Sequence, residues 1–393
     1  MSKIKKICFI STYVPRQCGI ATYTEDVIEA LHANDSSLVC DVIAMNDGHQ
    51  HDYPENVVLK IKQNDPKSYV AAAKKINQSD YDLVSVQHEF GIFGGFNGRY
   101  LLYFLRAIRK PVALTMHTVP IAMEKPFRIK SKKQKSRMKL LKEIFKYVKL
   151  ITVMTQSAKD YLEKEFDLIN VKVLVIPHGA PEITEEEKKE YRSNKAKLGF
   201  EEDEFIITTF GLISPKKGLE YVIKAMPKII RNNSSKKVKY LIAGRAHPKQ
   251  PPKYMLLLKS LVKKYSLENQ VVFETRYLDD DDIYHYLSIS DIYLTPYYAK
   301  EQASSGTLSY AIACGCCVVS TPYIFAKDLL ERHNIGRLVE FKNAGSIAKA
   351  VSELIIAPDQ IKSCQDRSAK LSKYIFWPRI GKRFLDSFNN IVN

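Results

Sequence analysis

Two histidines stand at the ends of neighbouring predicted strands. His88 and Glu89 follow the apolar run LVSV, just before a glycine-rich loop, and His117 closes the run VALTMH. An imidazole exchanges protons near neutral pH, so histidines at strand ends are candidates for contact with a substrate. The simpler alternative for either residue is a packed, hydrogen-bonded side chain. A metal site is not expected, because no third ligand stands at a useful spacing.

A second group of residues has the chemistry of an anion site. Lys217 precedes a predicted helix, where the helix dipole favours acids, so a bound phosphate would explain it better than the dipole does. Arg245 follows the next strand, and the hydroxyl-rich residues 304–307 open another helix, whose first amides are unpaired. Together the three strand ends suggest a diphosphate. Gly19, before an earlier helix, is a weaker signal of the same kind, and a solvated lysine remains the alternative for Lys217.

The composition is that of an ordinary globular protein. The chain has 393 residues, of which 45% are hydrophobic and 26% charged, and this length suggests two domains. No apolar stretch reaches the roughly 18 residues of a membrane span, and the apolar part of the N-terminal run is too short for a signal peptide. The seven cysteines lack zinc spacing and are expected to pack in a reducing cytosol.

The elements that must position these residues alternate along the chain. Thirteen short β-branched runs alternate with helical stretches, which predicts parallel sheets covered by helices on both faces, the α/β class. A polar stretch at 177–203 predicts a boundary near residue 182, with one domain at 1–182 and the other at 183–376. Ligands of such sheets bind at the carboxyl ends of the strands. The last helix, 377–392, has its own apolar stripe.

The net charge of +17 is concentrated in one segment. Residues 125–149 contain eleven Lys or Arg and one acid, around an apolar stripe of Leu141, Ile144, Phe145 and Val148. One interpretation is a helix that docks on its own sheet and exposes a solvated basic face. The other is peripheral attachment to anionic lipid headgroups. Nucleic-acid binding is not expected, because no DNA or RNA motif accompanies the charge.

Several of these motifs, in this order, resemble those of glycosyltransferase family 4, the retaining sugar-nucleotide transferases of GT-B fold. PRQCGIATYTED looks like the first glycine loop of the family, and TMHTV looks like its histidine motif. FGLISPKKGLEYVIKA is similar to its glycine–lysine segment, and residues 291–321 match its long signature around ACG. The resemblance covers essentially the whole chain. It implies two Rossmann-like domains with a cleft between them, and a terminal helix that returns to the first domain.

The resemblance also implies roles for individual residues. Gly19 would lie against the donor phosphates, and His117 would contact the transferred sugar. Lys217 would pair with the diphosphate, as Arg245 could. Ser305, Gly306 and Thr307 would cap that diphosphate at the start of a helix, while His88 and Glu89 would lie on the acceptor side. No metal and no cofactor are implied, so fixed cations and a helix N-terminus must stabilise the leaving diphosphate.

Three positions depart from the pattern of the family. Leu212 stands where an arginine is usual, and Arg245 could supply the lost charge. Gln302 stands where a glutamate holds the donor sugar, although the adjacent Glu301 could take that role. Tyr310 stands where a second glutamate holds the nucleotide ribose, and a phenol cannot accept two hydroxyls as a carboxylate does. Recognition of the nucleotide must therefore differ from the common pattern.

The resemblance implies a retaining hexosyltransferase of mannose or glucose type. It would use a nucleotide-diphosphate sugar and a glycan or a lipid-linked acceptor. A sugar phosphorylase of the same fold is the alternative, since it needs no ribose contact, and a non-catalytic carbohydrate- or nucleotide-binding module is a third. A cytoplasmic protein is expected, with peripheral attachment to the inner membrane face through residues 125–149 left open.

Overall fold

The computed structural model describes residues 3–120, 132–246, 253–276 and 278–392. The chain forms two compact units. The first consists of Met1–Gly179, Glu301–Ser304 and Trp377–Asn393, and the second of Ala180–Lys300 and Ser305–Phe376. A four-residue stretch from the middle of the second half of the sequence thus belongs to the first unit, which the sequence does not predict.

The first unit is built on a parallel sheet of seven strands within its described part, in the order β3-β2-β1-β4-β5-β6-β7. The order reverses between β1 and β4, which is where open α/β sheets bind ligands. The strands are β1 (Lys6–Ser11), β2 (Val39–Asn46), β3 (Val57–Lys62), β4 (Leu83–His88), β5 (Val112–Met116), β6 (Leu150–Val153) and β7 (Lys172–Val175). The helices are α1 (Gly19–His32), α2 (Pro66–Asn77), α3 (Leu101–Ala107), α4 (Lys132–Ile144) and α5 (Gln156–Glu165).

The second unit has a parallel sheet with the order β10-β9-β8-β11-β12-β13. Its order reverses between β8 and β11. The strands are β8 (Glu204–Phe210), β9 (Lys237–Ala243), β10 (Val271–Glu274), β11 (Ile292–Thr295), β12 (Cys317–Ser320) and β13 (Gly336–Leu338). The helices are α6 (Glu185–Ser193), α7 (Leu219–Asn232), α8 (Lys253–Lys264), α9 (Asp280–Ser288), α10 (Gly306–Ala313), α11 (Ile324–His333), α12 (Ala344–Ile355) and α13 (Pro358–Ile375).

The C-terminal helix α14 (Trp377–Val392) belongs to the first unit and packs on α1. Its predicted apolar stripe is buried: Ile380, Phe384, Leu385 and Phe388. Gly381 allows the close approach, because a Cβ there would lie 2.0 Å from the carbonyl oxygen of Ala30. This contact holds α1, and with it the loop after β1, against the sheet.

The apolar stripe of the basic segment is buried inside the first unit. Leu141 and Ile144 of α4, with Phe145 and Val148 just beyond it, belong to the core of that unit. The helix ends at Ile144, and a 3-10 turn follows. The stripe therefore packs on its own domain, as the first interpretation requires. Residues 125–131 of the segment lie outside the described part of the chain.

No helix in the described ranges is both long enough and apolar enough to cross a membrane.

Candidate functional site

His117 lies one residue beyond β5 in a buried polar environment. Its Nε2–H donates to Oε1 of Gln87 at 3.0 Å, and the edge of the Tyr23 ring meets its imidazole at 4.7 Å between centroids. Burial, helped by the charges of His178 and His88, lowers the pKa of His117 to about 3. The imidazole is therefore neutral at physiological pH. Because Nε2 carries the proton that is donated to Gln87, Nδ1 is the unprotonated ring nitrogen.

Thr118, the next residue, connects two predicted site residues of the first unit. Its hydroxyl donates to Oε2 of Glu89 at 2.5 Å, and its backbone forms an antiparallel bridge with Gln302. Ser304 adds a hydroxyl bond of 3.3 Å to the carbonyl oxygen of His117. The segment that carries Gln302 is therefore hydrogen-bonded along the strand end that carries His117.

Glu301 faces a cation from the basic helix. Its carboxylate lies 3.6 Å from the Arg137 guanidinium, which also stacks over the ring of Phe90 at 4.3 Å. The Glu301 side chain is half exposed, so this ion pair contributes little to stability. The structure thus brings Glu301, Gln302, Glu89 and His117 together in the first unit.

His88 is fully buried on the opposite face of β4 from Gln87. Its ring packs against Phe90 and Phe93, and neither ring nitrogen has a partner in the part of the chain that the structure describes. Burial and the charge of Arg137 lower its pKa to about 4. A contact between His88 and an acceptor stays a prediction.

Gly19 is the first residue of α1, not a residue of the preceding loop. The N-cap of this helix, Cys18, makes no side-chain capping bond, and no atom lies within 4 Å of a Cβ built on Gly19. The helix start is thus open to an anion. Tyr23 lies one turn further along α1 and contacts His117, so this helix start belongs to the same end of the unit.

In the second unit, the predicted phosphate loops converge. Gly211 follows β8 with φ +123°, and a Cβ on it would lie 3.1 Å from Cγ2 of Thr307 and 3.4 Å from Nζ of Lys217. Gly244, after β9, packs even more closely, because a Cβ on it would lie 2.4 Å from the carbonyl oxygen of Gly211. Three motifs far apart in sequence therefore form one cradle, which we call the phosphate cradle and define by Gly211, Lys217, Thr307 and the start of α10.

The start of α10 is capped in a way that leaves two amides available. Ser305 is the N-cap, and its Oγ accepts from the amide of Leu308 at 3.4 Å. The amides of Gly306 and Thr307 have no hydrogen-bond partner among the described residues. Two free N–H groups beside the Thr307 hydroxyl are the donors that a phosphate oxygen requires.

Lys217 is held beside this helix start by a tyrosine. Its Nζ donates to Oη of Tyr297 at 2.6 Å and lies 3.8 Å from the centre of that ring. The same hydroxyl is 3.0 Å from Oγ1 of Thr307. Burial lowers the pKa of Lys217 to about 7. Within the described ranges no carboxylate pairs with it, so an arriving anion would be its counter-ion.

Arg245, which could supply the charge lost at Leu212, and Tyr310, which replaces a glutamate, lie in the same unit. Arg245 follows β9, and its carbonyl oxygen accepts from the amide of Ile213 at 2.9 Å, beside Leu212. Tyr310 lies one turn into α10, and its ring meets that of Tyr284 in α9 at 6.3 Å between centroids. An aromatic pair thus stands at the position for which the resemblance implies a ribose-binding glutamate.

Sequence reasoning missed Gln87 and Tyr297. Gln87 precedes His88 on a buried strand. Side chains alternate between the two faces of β4, so Gln87 lies on the face toward His117, and this alternation could have identified it from the sequence. Tyr297 follows the strand end DIYLTP, where an aromatic residue reads as core. No three His, Cys, Asp or Glu side chains cluster as metal ligands would in the described part of the chain.

Comparison with known families accords with this geometry. A family model described as "Glycosyltransferase Family 4" matches residues 18–182, and one described as "Glycosyl transferases group 1" matches residues 190–372. The two matches together cover most of the chain. The protein is a glycosyltransferase of GT-B fold, and the chain belongs to glycosyltransferase family 4.

Individual relatives agree at low identity. An uncharacterized glycosyltransferase of Methanocaldococcus jannaschii, MJ1069, is 24% identical over the full length of both chains. The structure of sucrose-phosphate synthase from Thermosynechococcus elongatus is similar, with a TM-score of 0.76, 17% identity and 98% of each chain covered. That of Anabaena HepE in complex with UDP-glucose has a TM-score of 0.71 at 15% identity, over 98% of this chain and 99% of HepE. These structural similarities establish the fold.

Proposed function

We propose that this glycosyltransferase transfers a hexose of mannose or glucose type, with retention of configuration, from a nucleotide-diphosphate sugar to a glycan or a lipid-linked acceptor. The phosphate cradle carries the proposal. Among the described residues, a cation without a carboxylate partner, two free amides and a hydroxyl meet at one helix start, and this set matches the leaving group of a nucleotide-sugar donor. Retention is the stereochemistry that family membership implies.

The proposal divides the work between the two units. The second unit, 183–376 in the sequence-based division, holds the donor nucleotide through the cradle, with Arg245 and Tyr310 at its margin. The first unit, 1–182 with the helix at 377–392, binds the acceptor. His117, as a neutral imidazole, hydrogen-bonds the transferred sugar, and Gln302 or Glu301 holds its hydroxyls. Gly19 offers its helix start to the donor phosphates, and Glu89 and His88 serve the acceptor side.

Departure of the diphosphate is the step that this chain must assist. As the bond from the anomeric carbon to the phosphate oxygen breaks, negative charge grows on that oxygen. In this proposal, Lys217 and the amides of Gly306 and Thr307 are the fixed donors that stabilise this charge without reorganising. The acceptor hydroxyl loses its proton as it attacks, and the departing phosphate oxygen is a base that can receive it.

A donor screen tests the proposal. UDP-glucose, UDP-galactose, GDP-mannose and ADP-glucose are each added to the protein, with thermal shift and slow hydrolysis as readouts. UDP-sugars come first, because the similar HepE structure holds UDP-glucose. We expect one donor to stabilise the protein and Lys217→Met to abolish the shift. Lys216→Met is the control, because the adjacent Lys216 is exposed. A protein that responds to no donor would contradict the proposal.

A sugar phosphorylase is the second candidate. Tyr310, paired with Tyr284, stands in place of the ribose carboxylate, and a phosphorylase needs the phosphate contacts without a nucleotide. Disaccharides of glucose and mannose incubated with inorganic phosphate should release sugar phosphate if this candidate is right. Release of sugar phosphate without any response to nucleotide sugars would favour the phosphorylase.

We further propose a cytoplasmic protein that binds the inner membrane face peripherally through α4. Its lysines 132, 133, 135, 139 and 142 are exposed. The neighbouring turn, where Asn97 donates to Ser136 of α4 at 3.2 Å, exposes the ring of Phe96. Basic and aromatic side chains together favour an anionic lipid surface. Flotation with vesicles of phosphatidylglycerol should exceed that with phosphatidylcholine and fade at high salt, and equal flotation with both lipids would contradict it.

A further inference from the structure

The phosphate cradle holds an ammonium that no acid of the described chain neutralises. Lys217 is partly buried, and its Nζ contacts the ring and hydroxyl of Tyr297 beside Gly211. Removing an ammonium from water without a counter-ion is costly, so such a group tends to lose its proton. A lysine in this position is ready to become charged when an anion arrives.

The tyrosines that face Lys217 are neutral near pH 7. Tyr297 itself has a pKa of about 12, raised by burial, and the tyrosines around it, Tyr293, Tyr323 and Tyr240, also have raised pKa values. The nearest acid of α7, Glu220, accepts a hydrogen bond from Tyr254 instead. The tyrosines around Lys217 are therefore neutral in this range, and no carboxylate of the described residues pairs with the lysine.

We propose that Tyr297 is a positioning residue of the donor site, which holds Lys217 against the start of α10 so that the lysine takes up a proton from solvent as the diphosphate binds. The ring and the hydroxyl of Tyr297 fix Nζ, and the same hydroxyl ties Lys217 to Thr307. The anion then supplies the missing counter-charge. The identity of the anion rests on the proposed function, whereas the coupling between Tyr297 and Lys217 does not.

The inference makes the affinity for a diphosphate depend on pH. At a pH below the midpoint of the Lys217 titration, the amine is already protonated, so binding is accompanied by almost no proton uptake. Above it, each binding event must recruit one proton, and the affinity falls as pH rises. With a pKa of about 7, about half a proton is taken up at pH 7, and the uptake approaches one at pH 8.

The test follows Lys217 directly in the full-length protein. Lysine labelled with ¹³C at Cε is titrated by NMR, and the Lys217 signal is assigned by its loss in Lys217→Arg. We expect a midpoint near neutrality in the free protein. Inorganic pyrophosphate and UDP are the probes, and each should raise the midpoint by about one to three pH units. A Lys217 midpoint near the ordinary value of about 10.4, or one that neither probe moves, overturns the inference.

Tyr297→Phe tests the positioning role. It keeps the ring and removes the hydroxyl, so we expect a lower Lys217 midpoint and about tenfold weaker binding of pyrophosphate. Tyr240→Phe is the matched control, because its buried hydroxyl donates to Thr209 and not to Lys217; it should change neither value. If Tyr297→Phe fails to fold, Thr307→Val removes the other partner of that hydroxyl, and the readout is then the Lys217 midpoint in the free protein, which should fall. Unchanged binding and an unchanged midpoint in the folded variant overturn the role.

The outcomes separate this inference from the proposed function. A protein whose Lys217 responds to pyrophosphate as described, but which transfers no sugar from any nucleotide donor, contradicts the proposed function and supports the inference. An active transferase whose Lys217 titrates in the ordinary lysine range supports the proposed function and contradicts the inference.

Discussion

Gln87 determines which nitrogen His117 presents to its surroundings. The bond from His117 Nε2–H to Gln87 Oε1 is 3.0 Å long and buried. Loss of a buried partner leaves the other group unsatisfied, which typically costs about 1–3 kcal/mol. A ring free to rotate would then lose its fixed orientation toward a sugar.

Substitutions at Gln87 test this orientation. We expect Gln87→Leu to lower kcat/KM about tenfold or more. Gln87→Glu should instead place a carboxylate beside the imidazole and raise the pKa of His117 by favouring its charged form, which shifts the acid limb of the pH–rate profile upward. Ser85→Ala is the control on the same face of β4, because its hydroxyl has no partner in the described chain. An unshifted profile in Gln87→Glu would contradict the role of Gln87.

Gly211 should tolerate no side chain. Gly211→Ala combines a strained positive φ of +123° with contacts at 3.1 Å to Thr307 and 3.4 Å to Lys217, so we expect nucleotide binding to weaken at least tenfold in a thermal-shift titration. The control is Gly199→Ala, in the same unit, with φ +83° and no atom within 4 Å. Its cost should be about 1 kcal/mol of stability with unchanged affinity. Equal affinity losses in both variants would show that the Gly211 effect is merely destabilisation.

Gln302 and Glu301 compete for the role of the missing glutamate. Gln302 is anchored by its bridge to Thr118, and its Nε2 donates to the Ser304 carbonyl at 2.9 Å, whereas Glu301 is half exposed and pairs loosely with Arg137. We therefore expect Gln302→Ala to reduce kcat/KM at least tenfold and Glu301→Gln to keep more than half of the activity. The reverse ranking, measured with the donor found in the screen, would assign the sugar contact to Glu301.

At the scale of elements, strand positions follow from the sequence and pairings between distant segments do not. Each of the thirteen runs of β-branched residues forms a strand, because strands buried on both faces are continuously apolar. The largest difference is at GRLVEF, where β13 ends at Leu338, three residues before the end of the run. The sequence does not predict the contact of Tyr297 with Lys217 or the placement of Glu301–Ser304 in the first unit. Tyr297 reads as a core residue, and the place of Glu301–Ser304 in the first unit depends on hydrogen bonds to Thr118 and His117, nearly two hundred residues earlier.

The contact between α14 and α1 rests on one glycine. Gly381→Ala would push a Cβ to 2.0 Å from the carbonyl oxygen of Ala30, so the helices must separate. Overpacking of this kind typically costs about 1–3 kcal/mol. We expect a lower urea midpoint, followed by the fluorescence of Trp377, the single tryptophan of the chain, which packs on Gly179 at the start of α14. The control is Gly91→Ala, because no atom lies within 4 Å of a Cβ built on Gly91, and it should leave the midpoint nearly unchanged. A drop in the midpoint of Gly91→Ala as large as that of Gly381→Ala would refute the packing argument.

At the scale of the whole molecule, the buried histidines of the described residues lie in the first unit. His88, His117 and His178 are each at most 7% exposed, and burial lowers their pKa values to about 4, 3 and 4. Tyr23 and Trp377 pack around His178. A unit with three neutral imidazoles in its interior gains a dependence on pH that the sequence alone, with nine histidines of unknown burial, could not predict.

Acid should therefore destabilise the first unit well above the pH at which carboxylates protonate. An unfolded histidine has a pKa near 6.5, so between about pH 6.5 and pH 4 the unfolded state binds more protons than the folded state, and the free energy of unfolding falls as pH falls. Each buried histidine contributes about 1.4 kcal/mol per pH unit below 6.5, and we expect the urea midpoint reported by Trp377 to drop clearly between pH 7 and pH 5.

His88→Leu removes a ring whose nitrogens lack partners among the described residues, so it should preserve stability at pH 7 and flatten the pH dependence. The exposed His32 on α1 provides the control His32→Leu, which should keep the wild-type slope. A midpoint that does not move between pH 7 and pH 5 would mean that these histidines are not buried as neutral rings.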